Sequence, residues 1–172
     1  MHGDVVKKLS SEGVLLNLFG APTADGGVET KGHGVPHVER FFYIWSFLQE
    51  HRNEYDQVIV TDVRDVIFQK NPFEGLRTGL ILHSIVAAGE GLRYENEPWG
   101  NRNLYQAFGP HFHSKMKREF IYNVGVIAGY VTEIEPLMLM IFQMSLGRPI
   151  PIVDQAVYNF LLKYSGIKDY VY

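Results

Sequence analysis

With 172 residues, 46% of them hydrophobic, the chain is long enough to bury one sizeable core. A formal net charge of −3 leaves no basic footprint for nucleic acid, and no apolar run approaches the roughly 18 residues of a membrane span. The lack of cysteine excludes disulfides and thiolate metal sites and favours a reducing compartment such as the cytoplasm, and the N-terminus carries no signal-peptide pattern.

A short polar–apolar segment at 5–11 leads into a predicted strand at 14–19. Residues 20–34, rich in Gly, Thr, Asp and Pro, read as an exposed loop. A helix is predicted over 36–52, with Phe41, Trp45 and Leu48 on one stripe at helical spacing. The β-branched run 57–61 predicts a buried strand and drives straight into Asp62-Val63-Arg64-Asp65, two carboxylates where that strand must end. Asn71-Pro72-Phe73 punctuates the exit from the acidic turn, with Phe68 and Phe73 as packing and turn residues. Residues 80–87 predict another buried strand, and 89–103 a polar loop carrying Glu90, Glu95, Asn96, Glu97 and Trp99. Residues 120–128 predict a strand centred on Tyr122-Asn123-Val124-Gly125. Thr132 and Glu135 form a capping-box pattern that should open a Met-rich helix ending near Leu146. Asp154 is placed to cap a last helix running through Lys163, and 168–172 predicts a short closing strand. Strands alternating with helices predict an α/β fold, a largely parallel sheet flanked by helices, as one domain over 1–172.

Each chemical signal has a plain structural reading beside the functional one. Two carboxylates in a tight turn at the carboxyl end of a strand suit a hard divalent cation, which in turn holds phosphate oxygens. An Asp-containing turn in which Asp65 caps a local N–H explains the same residues without a metal. Gly125 beside Asn123 marks close approach by a ligand or another backbone, and the Asn123 amide suits either a sugar hydroxyl or a local backbone group. Asp154 is an N-cap, or a base or sugar-hydroxyl acceptor. His111-Phe112-His113 would set two imidazoles on one side of an extended segment, but with no acidic or Cys partner nearby they read as surface histidines. No phosphate-loop glycine pattern and no nucleophile elbow is present.

Taken in order, Arg40-Phe41-Phe42, the segment 55–69 around Asp62-Val63-Arg64-Asp65, Asn71-Pro72-Phe73, Tyr122-Asn123-Val124-Gly125 and Asp154-Gln155-Ala156-Val157-Tyr158-Asn159 resemble the centre of a GT-A-type nucleotide-sugar glycosyltransferase. Asp62-Val63-Arg64-Asp65 is similar to the DxxD variant of that family's DxD metal motif. The resemblance implies Mn²⁺ or Mg²⁺ held by Asp62 and Asp65 against a nucleoside diphosphate, with a UDP-sugar as the default donor. It implies Arg40 near the diphosphate or supporting the acidic turn, and Asn123, Gly125 and Gln155 binding substrate. Asp154 would be the base in an inverting reaction, and a retaining one would need none. The acceptor would be a hydroxyl of a glycan, a protein or a small molecule. Against the family pattern, the opening strand–helix unit that binds the base is missing at the N-terminus, as is a late metal-binding His. A degenerate, non-catalytic nucleotide-sugar-binding or interaction domain and a metal-dependent phosphohydrolase would use the same residues.

Overall fold

The structure, a computed structural model, describes residues 2–29, 35–63, 65–79 and 84–167. The strand expected at 168–172 and the first residues of the one expected at 80–87 lie outside these. The chain forms two compact units, 1–34 and 35–172.

The first unit holds helix α1 (Gly3–Ser11) and a small antiparallel hairpin of β1 (Ala21–Pro22) and β2 (Val28–Glu29). Asp25 ties it together. One carboxylate oxygen accepts from the Thr23 hydroxyl at 2.5 Å and the Gly27 N–H at 3.2 Å, and the other accepts from the Gly3 N–H at 2.9 Å. These donors hold the Asp25 carboxyl well below the usual carboxylate range, the Thr23 hydroxyl first among them. The strand expected at 14–19 does not form: the run has no strand partner among the described residues, and Leu15 is 91% exposed. An apolar run without a neighbouring ladder has nothing to satisfy its backbone as a strand.

In the second unit, helix α2 (Pro36–Glu50), strand β3 (Gln57–Thr61), helix α3 (Pro72–Gly79), strand β4 (Ile85–Arg93) and helix α4 (Pro98–Met116) come in turn. Strand β5 (Phe120–Tyr130) and helices α5 (Val131–Ser145) and α6 (Asp154–Tyr164) follow. The sheet has the order β3-β5-β4, and both strand pairs are antiparallel. This corrects the expectation of a largely parallel sheet, while the mixed α/β character stands. Helix α4 gives the physical reason. At Gly109 the backbone turns to φ 73°, ψ 177°, a region that glycine alone enters readily, and Pro110 follows. The kinked helix brings the chain back beside its starting point, where Tyr94 N–H donates to the Glu119 carbonyl and Glu95 N–H to that of Lys117. Thus β4 and β5 are joined as an enlarged hairpin, with Arg93 opposite Phe120.

Alternation along the strands sorts the two faces. Val58, Val60, Ile85 and Ile127 pack with Phe41 and Leu48 of α2, Leu137 and Met138 of α5, and Val157 and Leu161 of α6. Ile59, Val86 and Ala128 turn the other way, onto Leu76 of α3. The predicted polar loop at 89–103 is instead the end of β4, a 3₁₀ turn (Tyr94–Asn96) and the start of α4. His111 and His113 are therefore helical rather than extended, and His113 Nε2 lies 2.5 Å from Asn101 Oδ1. Among the described residues no helix is long and apolar enough to cross a membrane.

Candidate functional site

Strand β3 ends at Thr61, and Asp62 continues its ladder for one more bond, donating its N–H to the Gly125 carbonyl at 2.7 Å. This fixes the Asp62 carboxylate against β5 where that strand carries Gly125. A Cβ at Gly125 would collide with Asp62 Oδ2 and lie 2.8 Å from Asn123 Oδ1. The bare Cα of Gly125 leaves room for this approach of a carboxylate, the close contact its position in a strand suggested.

Helix α2 supplies the opposing charge. Phe41 is fully buried, which sets its neighbour Arg40 at the border of the core, its guanidinium 4.7 Å from the Phe41 ring centroid. Arg40 Nη1 donates to Asp62 Oδ1, and Nη2 donates to Asp154 Oδ2 at 3.0 Å. Arg40 Nε is buried with no hydrogen-bond partner among the described residues. The two carboxylates differ in setting: the Asp62 side chain is 41% exposed and that of Asp154 only 4%. Burial raises the Asp154 pKa above its ordinary value, opposed chiefly by the Arg40 charge and also by the Gln155 backbone N–H and His37. Asp154 is the first residue of α6 rather than the residue before it, and its side chain meets Arg40.

Asn123 orders the middle of the site. Its Oδ1 accepts the Gly125 N–H at 2.6 Å and its Nδ2 donates to Glu90 Oε1 at 3.1 Å. Between Asn123 and Ile127, β5 loses its register with β4, and its backbone takes further hydrogen-bond partners there and at the neighbouring Tyr122. Helix α6 provides them from two amides one turn apart. Gln155 Oε1 accepts the Val124 N–H at 3.4 Å, a long bond. Asn159 accepts the Tyr122 N–H at 2.8 Å and donates to the Tyr122 carbonyl at 2.7 Å and the Gln155 carbonyl at 2.8 Å. A pair of side chains thus adds to the β5 ladder beside its pairing with β4.

Of the residues singled out from sequence, Arg40, Asp62, Asn123, Gly125, Asp154 and Gln155 belong to this one bonded cluster. Asp65 stands on the same turn as Asp62, exposed, with no ion pair among the described residues. Phe68 is half exposed rather than packed, whereas Asn71 does form a turn, its Oδ1 accepting the Phe73 N–H at 3.1 Å. Two members of the cluster escaped the sequence reading. Asn159 was signalled by the spacing of two amides on an otherwise apolar helix, and Glu90 by nothing local, because a register shift brings it to Asn123. Among the described residues no three His, Asp or Glu side chains converge as a ready metal cage. In comparisons with known proteins the chain matches no family model and no curated protein sequence.

Proposed function

We propose that the chain is a metal-dependent glycosyltransferase domain of GT-A type, moving a sugar from a nucleoside-diphosphate donor to a hydroxyl acceptor. One observation carries this reading. The segments that resemble that family, far apart in sequence, meet in a single hydrogen-bonded cluster at the end of β3. The donors are of the kind a hard cation takes: the Asp62 carboxylate, the Asn123 amide oxygen beside it, and Asp65, exposed on the same turn. Asp62 and Asp65 would hold Mn²⁺ or Mg²⁺, which supplies Lewis-acid stabilisation of the charge on a leaving diphosphate.

The chain's own residues do the rest. Arg40 offers a fixed positive charge on a rigid helix, suited to phosphate oxygens. Gly125 leaves room for the Asp62 carboxylate beside Asn123, and the α6 amides hold the strand that carries both. Asp154, buried behind Arg40, anchors the guanidinium and holds it in place for phosphate oxygens. The test is release of UDP from a panel of UDP-sugars with Mn²⁺ and hydroxyl acceptors. Asp62→Asn with Asp65→Asn should lower the rate by at least about a hundredfold, as for loss of a major charge-stabilising group. Unchanged rate and metal dependence in the double variant would sink the reading.

A second reading, a non-catalytic nucleotide-sugar-binding domain, is favoured by the ion pair that Asp62 already makes. Metal-dependent UDP binding with no turnover of any donor would select it.

A further inference from the structure

The Asp62 carboxylate, on which the proposed cation depends, is already neutralised from within the protein. Its Oδ1 is engaged by Arg40, and its Oδ2 is set against the bare Cα of Gly125. Arg40 is held at its other end by Asp154, which is almost wholly buried and so stays with the guanidinium whatever happens at the open end of the site. The two bonds of Arg40 are therefore unequal: the inner one is sequestered from water, the outer one lies on a carboxylate that solvent and ions reach. The partnerless buried Nε shows that the guanidinium is not fully satisfied in this pose.

We propose that Arg40 is a resident cation at this site. A divalent ion gains Asp62 by displacing Arg40 Nη1, while Arg40 Nη2 stays on Asp154. The displaced N–H edge then becomes available to the oxygens of a diphosphate. This rests on the metal–diphosphate reading above and adds a competition to it. A unit positive charge and a doubly charged ion on the same carboxylate oxygen repel each other, so occupancy by one weakens the other. Metal affinity is thereby kept low until a phosphate ligand takes up the freed guanidinium, which makes metal and diphosphate bind as a pair.

The competition is read with Mn²⁺ alone, by the loss of the free-ion electron paramagnetic resonance signal on titration into the full chain. Arg40→Gln keeps a donor for Asp154 and removes the charge. It should bind Mn²⁺ about ten- to a hundredfold tighter than wild type, the worth of one charge-assisted hydrogen bond. Asp62→Asn added to it should abolish the gain. Should Arg40→Gln fail to fold by circular dichroism, Arg40→Gln with Asp154→Asn, which leaves no unpaired buried carboxylate, takes its place with the same expectation. Equal or weaker Mn²⁺ binding in the charge-removed variant overturns the competition. If Asp62→Asn alone still weakens wild-type binding in that case, the metal site itself survives. No Mn²⁺ uptake by any of these proteins overturns both.

Discussion

Gly125 is the residue of the site whose size matters, because the Asp62 carboxylate occupies the place of its side chain. Gly125→Ala should cost about 1–3 kcal/mol in urea unfolding, as other small-to-large changes in tightly packed places do. Asp62 is also expected to be pushed off its position, so the variant should lose Mn²⁺ affinity together with stability. An alanine variant as stable as wild type would contradict the close approach. Asn159 is the second such residue, since one buried amide serves both backbone groups of Tyr122. Asn159→Ala leaves that N–H and C=O without partners and should destabilise the chain by about 2–4 kcal/mol in the same measurement. Both predictions concern residues whose meaning depends on a neighbour remote in sequence. Gly125 was legible as a place of close approach, but that the visitor is Asp62 was not. Asn159 was visible within a motif and unreadable in role, because nothing local reveals that α6 would lie against the β5 backbone at Tyr122.

At the scale of elements, local pattern told most where a single face is buried. Strand β3 falls at its expected residues 57–61, and α2, expected over 36–52, spans Pro36–Glu50. Helix α2 buries Phe41 and Leu48 of its expected stripe, whereas β3, expected to be buried, is half-buried along its length with both faces packed. The expected capping box is different: α5 starts at Val131, and the Thr132 hydroxyl turns to the Glu133 carboxylate instead. The start of α4, 98–103, was read as loop because that stretch is polar, although Glu97 caps the Trp99 and Gly100 N–H groups and Pro98 stands at the first turn. The kink predicts a cost. Gly109→Ala places a Cβ in backbone that glycine alone tolerates and should lower stability by about 1–3 kcal/mol by chemical denaturation. In the N-terminal unit, Asp25 links α1 to the hairpin turn. Its carboxyl is depressed in the folded state, so its contribution is present above the ordinary value of 3.8 and fades as pH falls below it. The Gly3 and Gly27 amide resonances should move in one acid titration with a midpoint well under 3.8, absent in Asp25→Asn. A midpoint at 3.8 would contradict the linkage.

At the scale of the molecule, the mixed α/β class was legible and the strand directions were not. Alternating strands and helices imply a parallel sheet only if each connection returns the chain to the opposite end. Here a kinked helix returns it to the same end, and the β4–β5 pair becomes antiparallel. The site was legible as a set of segments, since the acidic turn, the Asn-Gly strand and the Asp-Gln helix start do come together. Their joining residue, Arg40, was expected near the acidic turn or the diphosphate, but its bridge from Asp62 to Asp154 follows only from the packing of α2 against α5 and of α5 against α6. The central claim is that this cluster is a metal–diphosphate site. The most direct measurement is isothermal titration of UDP into the full chain with Mn²⁺, then with EDTA, repeated on Asp62→Asn with Asp65→Asn. The account predicts binding with Mn²⁺ that disappears with EDTA and in the double variant. Binding that persists unchanged in EDTA or in the double variant, or no binding by the folded wild-type chain, would contradict it.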